Sequence, residues 1–367
     1  MTALHEELRR IIAAEGPITV ERYMALCLGH PVHGYYMGRD PFGAAGDFTT
    51  APEISQMFGE LIGLWTLEAW AGMREPRPVR LVELGPGRGT LMADLLRAAR
   101  LRPAFVDAVE VDLVETSPVL RERQREKLAG APVRIGWRER FSEVPDGPAI
   151  VIANEFFDAL PARQFVRTDR GWCERLVGLS LDGELAFGLA PAPTQGLPPG
   201  GRAGDVLEWP GAALETVNAI AARLAALGGA ALVIDYGYNG PGTGETFQAM
   251  KRHVHADPLA TPGAADLTVH VDFAKLAAAA KTLGARIHGP VGQGAFLRAL
   301  GIRERAARLQ RRATPPQAAA IEQALVRLTD PGPRGMGDLF KVLCISHPHL
   351  RELPGFARAP NVAESLA

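Results

Sequence analysis

Gly85, Gly87 and Gly89 stand at alternate positions in Val79-Arg-Leu-Val-Glu-Leu-Gly-Pro-Gly-Arg-Gly-Thr90, directly after a short apolar run with β-branched residues. That run predicts a buried parallel strand, and the apolar-periodic residues that follow predict a helix capped by Thr90. Glycines at a strand-to-helix turn let backbone N–H groups approach a ligand with no Cβ in the way. The expected ligand is a nucleotide-like cofactor. A purely structural glycine turn is the blander alternative, since such turns alone are weak signals.

Two neighbouring residues choose among cofactors. The dinucleotide fingerprint has its third glycine where this chain has Thr90, and Gly89 falls one place early. Glu83 lies two residues before the first glycine. A carboxylate there repels a pyrophosphate but attracts an ammonium or sulfonium group. S-adenosyl-L-methionine carries both cations and no phosphate, so it is the expected cofactor. Glu83 is assigned to its amino group, and Gly85 and Gly87 to backbone contact with its methionine moiety. A second strand over 107–115 ends in Glu115, placed to accept the ribose hydroxyls of an adenosine. Nicotinamide enzymes use the same device, so Glu115 supports adenosine without choosing a cofactor. Its bland alternative is a solvated charge at a strand end.

The elements that must hold these residues alternate. Strands are expected at 79–85, 107–115, 132–137, 148–154, 230–237 and 285–289, with a last one in Met336–Ser346. Helices are expected at 90–100, 118–128, 211–227, 272–283 and, studded with arginine, roughly 295–328. This is the rhythm of an α/β, doubly wound parallel sheet. The final strand returns after two helices and would insert antiparallel, an arrangement that resembles the seven-stranded class I methyltransferases. Residues 1–78 read as a helical N-terminal region with Thr19 as an N-cap, and residues 79–367 as the main domain. Residues 160–208 break the alternation and read as a β-rich insertion. The irregular segment Gly46–Glu53, with Phe48 and Thr50, is expected to fold over the cofactor.

Ligands of open α/β sheets lie beyond the carboxyl ends of the strands. The fourth strand there delivers Ala153-Asn-Glu-Phe-Phe-Asp-Ala-Leu-Pro161. Asn154 and Glu155 leave a buried strand together, which is costly unless they are satisfied or functional. In the same place, amino-methylating DNA enzymes carry an Asn-Pro-Pro-aromatic motif; Asn154 and Phe157 match it, and the prolines do not. Two carboxylates, Glu155 and Asp158, suit a cationic acceptor such as a guanidinium, with its planar fork of donors. The competing expectation is that Glu155 and Asp158 cap a following helix.

Gly46-Asp-Phe-Thr-Thr-Ala-Pro-Glu-Ile54, Val82-Glu-Leu-Gly-Pro-Gly-Arg-Gly-Thr90, Ala153–Pro161 and Ile234-Asp-Tyr-Gly237 occur in this order. Together they resemble the MidA family, and the likeness extends through Asp266-Leu-Thr-Val-His-Val-Asp-Phe273 to the C-terminal strand. The resemblance implies a class I fold, S-adenosylmethionine and protein-arginine methylation; the residues assigned to the cofactor are Phe48, Thr50, Glu83, Gly85, Gly87, Glu115 and Asn154. It also implies a protein partner, which for the mitochondrial member of the family is a core subunit of respiratory complex I.

Composition excludes other classes. The chain has 40 Lys+Arg against 41 Asp+Glu, a formal charge of −1, which gives no general grip on nucleic acid. Cys27, Cys173 and Cys344 lie far apart and predict reduced, buried thiols. No run of ~18 apolar residues predicts a membrane span. Met1 to Ile12 reads as an amphipathic helix and not as a signal or transit peptide, so a cytoplasmic protein is expected, with a homodimer as a candidate assembly. His30-x-x-His33 and His253-x-His255 have metal-compatible spacing but no second cluster; loop histidines and no metal are expected, with His253 kept as a candidate substrate contact. The arginines at 298, 303, 305, 308, 311 and 312 read as a solvated helix face. Besides protein-arginine methylation, a small-molecule methyltransferase, a non-catalytic assembly factor that binds S-adenosylmethionine, and an oxidoreductase stay open.

Overall fold

The computed structural model describes residues 2–38, 40–41, 50–240 and 244–356. Its central sheet is built from β1 (Val79–Leu84), β2 (Val109–Val114), β3 (Arg134–Arg138), β4 (Ala149–Asn154), β5 (Gly229–Tyr238), β6 (Arg286–Gly292) and β7 (Phe340–Ser346). Their spatial order is β6-β7-β5-β4-β1-β2-β3. The first five strands run parallel, and β7 inserts antiparallel between β5 and β6. A two-residue strand, Val271–Asp272, adds to the end of β5.

Strict alternation inside each strand explains why both faces are covered. Leu81, Ile150, Leu232 and Val342 point to one apolar cluster, and Val82, Val151, Val233 and Leu343 to the other. Strands apolar on both faces are the sequence mark of a parallel sheet between two helix layers. Helices Gln56–Gly72 and Thr90–Ala99 pack on the first face, and Gly211–Leu227 and Phe273–Thr282 on the second. The order of strands reverses between β1 and β4, and the site lies beyond their carboxyl ends.

A second body of packing joins the beginning of the chain to the insertion. Ile18–Thr19 pairs antiparallel with strand Gly171–Leu179, which also carries Arg163–Thr168 and Leu185–Pro193. Leu8, Tyr23 and Met24 share a core with Val177, Ala249 and Leu267. Thr19 caps helix Val20–Gly29 through its side chain, as expected. A three-stranded sheet, 248–251, 254–256 and 266–268, closes this body and had no counterpart among the sequence expectations.

Several expectations need correction. Thr90 is the first helical residue and not the cap; Gly89 takes that position at φ +77. The last strand begins at Phe340, because Met336–Leu339 forms the turn that leads into it. The arginine stretch is three helices, and two of its members turn inward. Arg305 grips buried Glu60 with two hydrogen bonds of 2.7 and 2.9 Å, and Arg298 Nη1 donates to Thr329 O. The three cysteines are free and buried.

Candidate functional site

The glycine turn after β1 is possible only with glycine. Gly85, Gly87 and Gly89 have φ of +62, +52 and +77, the left-handed region that L side chains avoid. At Gly85 a Cβ would also stand 2.9 Å from Phe156 Cδ2, so the turn and the exit of β4 touch where this glycine sits. Two openings meet at the turn. One is a narrow recess of ≈ 40 Å³ lined by Thr50, Glu83, Arg88 and Asn154; the other is a cleft of ≈ 970 Å³ that holds Glu115 and Asp158. Gly85, Gly87 and Glu155 border both.

Glu83 ends in the recess, buried, and its Oε2 has no hydrogen-bond partner among the described residues. Burial, reinforced by the charge of Glu115, pushes its pKa up to about 8. On the other side of the turn, Glu115 Oε1 accepts from the Ser117 amide at 2.8 Å. Burial raises the Glu115 carboxyl to about 7, and the donors from Ser117 and Gln124 limit the rise. Gln124 is the residue sequence reasoning missed here. Fully buried, it donates from Nε2 to Gly87 O at 2.7 Å and to Glu115 Oε2 at 3.3 Å, while its Oε1 accepts from Trp137 Nε1 at 2.9 Å. It lies on a helix among arginines and glutamates, and nothing in that context marks it.

Beyond β4 the chain turns sharply. Glu155 sits at φ +49, a left-handed conformation in a non-glycine residue, and its amide still continues the ladder to Ile234 O at 2.8 Å. Such strain costs on the order of 1–3 kcal/mol and persists where surrounding bonds over-determine it. Asp235 of β5 supplies those bonds: its Oδ2 accepts from the amides of Phe157 and Asp158 at 3.0 and 3.2 Å. The signal for Asp235 was present, a carboxylate directly after the apolar run Ala230–Ile234, and the same cost-of-burial rule that picked out Glu155 would have found it.

Glu155 Oε1 accepts from the Ala51 amide at 3.0 Å and from Asn154 Nδ2 at 3.2 Å, and Oε2 takes no hydrogen bond among the described residues. Burial raises Glu155 to about 7; the Ala51 amide opposes the rise and the charge of Asp158 adds to it. Asp158 is buried with Oδ1 unpartnered among the described residues, and burial lifts its pKa above the ordinary carboxylate range against the pull of the Tyr236 hydroxyl. No helix follows: residues 155–162 are turns leading to strand Arg163–Thr168, so the helix-cap alternative for Glu155 and Asp158 falls. Tyr36 and Asp266, joined at 2.8 Å, complete the acidic wall of the cleft from two distant segments.

Of the residues expected in the site, Thr50, Glu83, Gly85, Gly87, Glu115, Asn154, Glu155 and Asp158 all border these two openings. Phe48, and half of the segment expected to cover the cofactor, 46–49, lie outside the described residues. His255 lines the cleft; His253 does not. His30 is a turn residue whose Nδ1 accepts from the amides of Val32 and His33. Among the described residues no group of His, Cys, Asp and Glu could hold a metal, and no helix is long and apolar enough to cross a membrane.

Comparison with known proteins bears on this geometry. A family model for S-adenosyl-L-methionine-dependent methyltransferases matches residues 61–291. The chain is 38% identical over 378 residues to the protein arginine methyltransferase NDUFAF7 homolog, mitochondrial, of Drosophila melanogaster, covering 94% of this chain and 84% of that one. It is 37% identical to human protein arginine methyltransferase NDUFAF7, mitochondrial, over 96% and 85% of the two chains. A Burkholderia thailandensis protein solved bound to S-adenosyl-homocysteine superposes with a TM-score of 0.85 at 31% identity, over 99% of this chain and 96% of that one.

Proposed function

This chain belongs to the S-adenosyl-L-methionine-dependent methyltransferase family, and from that premise we propose that it methylates an arginine of a protein partner. The observation that carries the proposal is the pair Glu155 and Asp158, two carboxyls at the exit of β4, each with an oxygen unbonded among the described residues, facing one cleft. The fold and the cofactor follow from the family. The acceptor follows from the carboxyl pair and from the names of the relatives.

The residues present fit the cofactor. Glu83, with its orphaned buried oxygen, would hold the methionine ammonium, helped by Asn154 and Thr50 around the recess. Gly85 and Gly87 leave the turn open for close approach, and Glu115 would take the ribose. When bound, S-adenosylmethionine supplies an electrophilic methyl group on a sulfonium. Glu155 Oε2 accepts from the guanidinium fork and fixes one terminal nitrogen toward the turn, and proximity and orientation supply much of the acceleration. A carboxyl near 7 is poised to take the proton that the attacking nitrogen releases. Asp158 holds the far side of the fork. Asp235 positions both by bonding the backbone between them.

A respiratory complex I core subunit is the proposed target, on the strength of the family resemblance; cytoplasmic location and a homodimer stay proposals too. The test is direct. Purified protein, labelled S-adenosylmethionine and the candidate subunit are incubated, and the hydrolysate is analysed for methylarginine. Label on any residue other than arginine, or none above a Glu155→Gln control, refutes the proposal.

A further inference from the structure

Two neighbouring phenylalanines leave β4, and the fold treats them oppositely. Phe157, the ring that the sequence pattern singles out, is 1% exposed and fills the core on the second face of the sheet. Phe156 is only half-buried and lines the cleft. The left-handed residue Glu155 breaks the strand just before them, and Asp235 then fixes the amides of Phe157 and Asp158. A half-buried apolar residue is ordinary in itself. What distinguishes Phe156 is its place.

Two contacts hold the ring. Its Cδ2 edge lies on the glycine turn, where a Cβ at Gly85 would stand 2.9 Å away. The Phe157 ring is perpendicular to it, with centroids 5.5 Å apart, a T-shaped pairing that fixes its angle. Gly85 and Glu155 border both the recess and the cleft, so the ring stands where the two openings meet. In the chain it lies between the carboxyls Glu155 and Asp158. Carboxylates bind a guanidinium through its planar fork of N–H donors and leave its two faces uncovered. An aromatic ring covers such a face by stacking and cation–π attraction, and suits a compact, strongly hydrated ammonium less well.

We infer that Phe156 stacks on the guanidinium of the methyl acceptor and selects this planar cation over an ammonium. This deepens the protein-arginine reading above and rests on it. The carboxyls hold the edge of the cation and the ring holds its face. Together they give the terminal nitrogen one plane and one direction, which transfer requires.

The test titrates ethylguanidinium, with ethylammonium as control, into the protein loaded with S-adenosylhomocysteine, and reads binding by NMR. Methylation of the candidate complex I subunit is assayed beside it. Phe156 is replaced in turn by mono-, di- and trifluorinated phenylalanine, which nearly keep the ring's shape and weaken its negative face stepwise. Ethylguanidinium affinity should fall with each fluorine, about tenfold over the series. Phe156→Leu should lose as much while S-adenosylhomocysteine binds as before, and Phe156→Tyr should keep the affinity. Ethylguanidinium binding that ignores the fluorines, or that never exceeds ethylammonium binding, overturns the stacking. So does a Phe156→Leu variant that loses the cofactor and keeps the probe, since the ring then serves the cofactor. Methylarginine formed at the wild-type rate by Phe156→Leu overturns the stacking and leaves the arginine reading standing. Ring-dependent probe binding with no methylarginine on the subunit keeps the stacking and refutes that target.

Discussion

At Glu115 the carboxyl and the amide beside it each have partners: Glu115 with Ser117 and Gln124, Gln124 with Gly87 and Trp137. Across the glycine turn, Glu83 Oε2, Asn154 Oδ1 and Asp158 Oδ1 have none among the described residues. Both regions are built on strand ends of one sheet, yet only one is complete by itself. Unpaired buried carboxyls are expensive, and a protein tolerates them by raising their pKa until a cation arrives. The complete side is a preformed seat. On our proposal the incomplete side is where the ligands supply charge.

The harshest way to break the seat is Gly87→Val. A branched residue at φ +52 carries about 1–3 kcal/mol of backbone strain and puts a Cβ where the cofactor must pass. Calorimetry should find no S-adenosylmethionine binding while circular dichroism keeps the native spectrum; wild-type affinity would move the site elsewhere.

On the incomplete side, Glu155→Gln should keep cofactor affinity and slow methyl transfer on the order of 10²–10⁴-fold, the range for a lost acid–base group. Asp158→Asn should do less, since it holds the outer side of the fork. Single-turnover rates measured beside cofactor titrations separate the two variants, and equal rates for Glu155→Gln and wild type would take Glu155 out of the chemistry.

Acidity sharpens the contrast. In the cofactor-free protein Glu83 titrates near 8, far above its ordinary 4.5, so the folded state binds this proton more tightly than the unfolded chain does. Between about 4.5 and 8, rising pH therefore lowers stability through this group. A bound ammonium favours the ionised form, so the thermal stabilisation by S-adenosylmethionine should grow from pH 6 toward about 8 and then level, with proton release at pH 7. Glu83→Gln should flatten that profile. A profile unchanged by the substitution would remove Glu83 from ligand binding.

The smallest effects belong to the complete side. Glu115→Ala should cost about 1.5–3 kcal/mol of adenosine affinity, as for hydrogen bonds to a charged group. Gln124→Met, which keeps the shape and deletes the bonds, should cost about 0.5–1.5 kcal/mol. The two losses should fall short of additive, because Gln124 acts through Glu115. Isothermal titration of the double variant decides.

Much of this was readable along the chain. The positions of Gly85, Gly87 and Gly89 after an apolar run are a local demand for positive φ, and local demands survive in sequence. Glu83 and Glu115 were found from their places beside the glycine turn and at the tip of the second strand, and Asn154 and Glu155 because polar residues leaving a buried strand are costly wherever that strand lies. The antiparallel insertion of β7 came from likeness to a family, since no residue in Phe340–Ser346 states the strand's direction.

What only the tertiary structure decided depends on packing between remote segments. Gln124 reaches Gly87 and Trp137 because a helix and two strands converge there, and Tyr36 meets Asp266 across 230 residues of chain. Arg305 looks solvated in a helix of arginines until Gln56–Gly72 places Glu60 beneath it. The hairpin at Arg252 and His253 carries no turn signal, because its backbone departs from the residues' own preference. Sequence determined the elements and the strand-tip chemistry through local propensity and burial cost. The second wall of the cleft came from long-range contacts, which leave no periodic trace in the residues that make them.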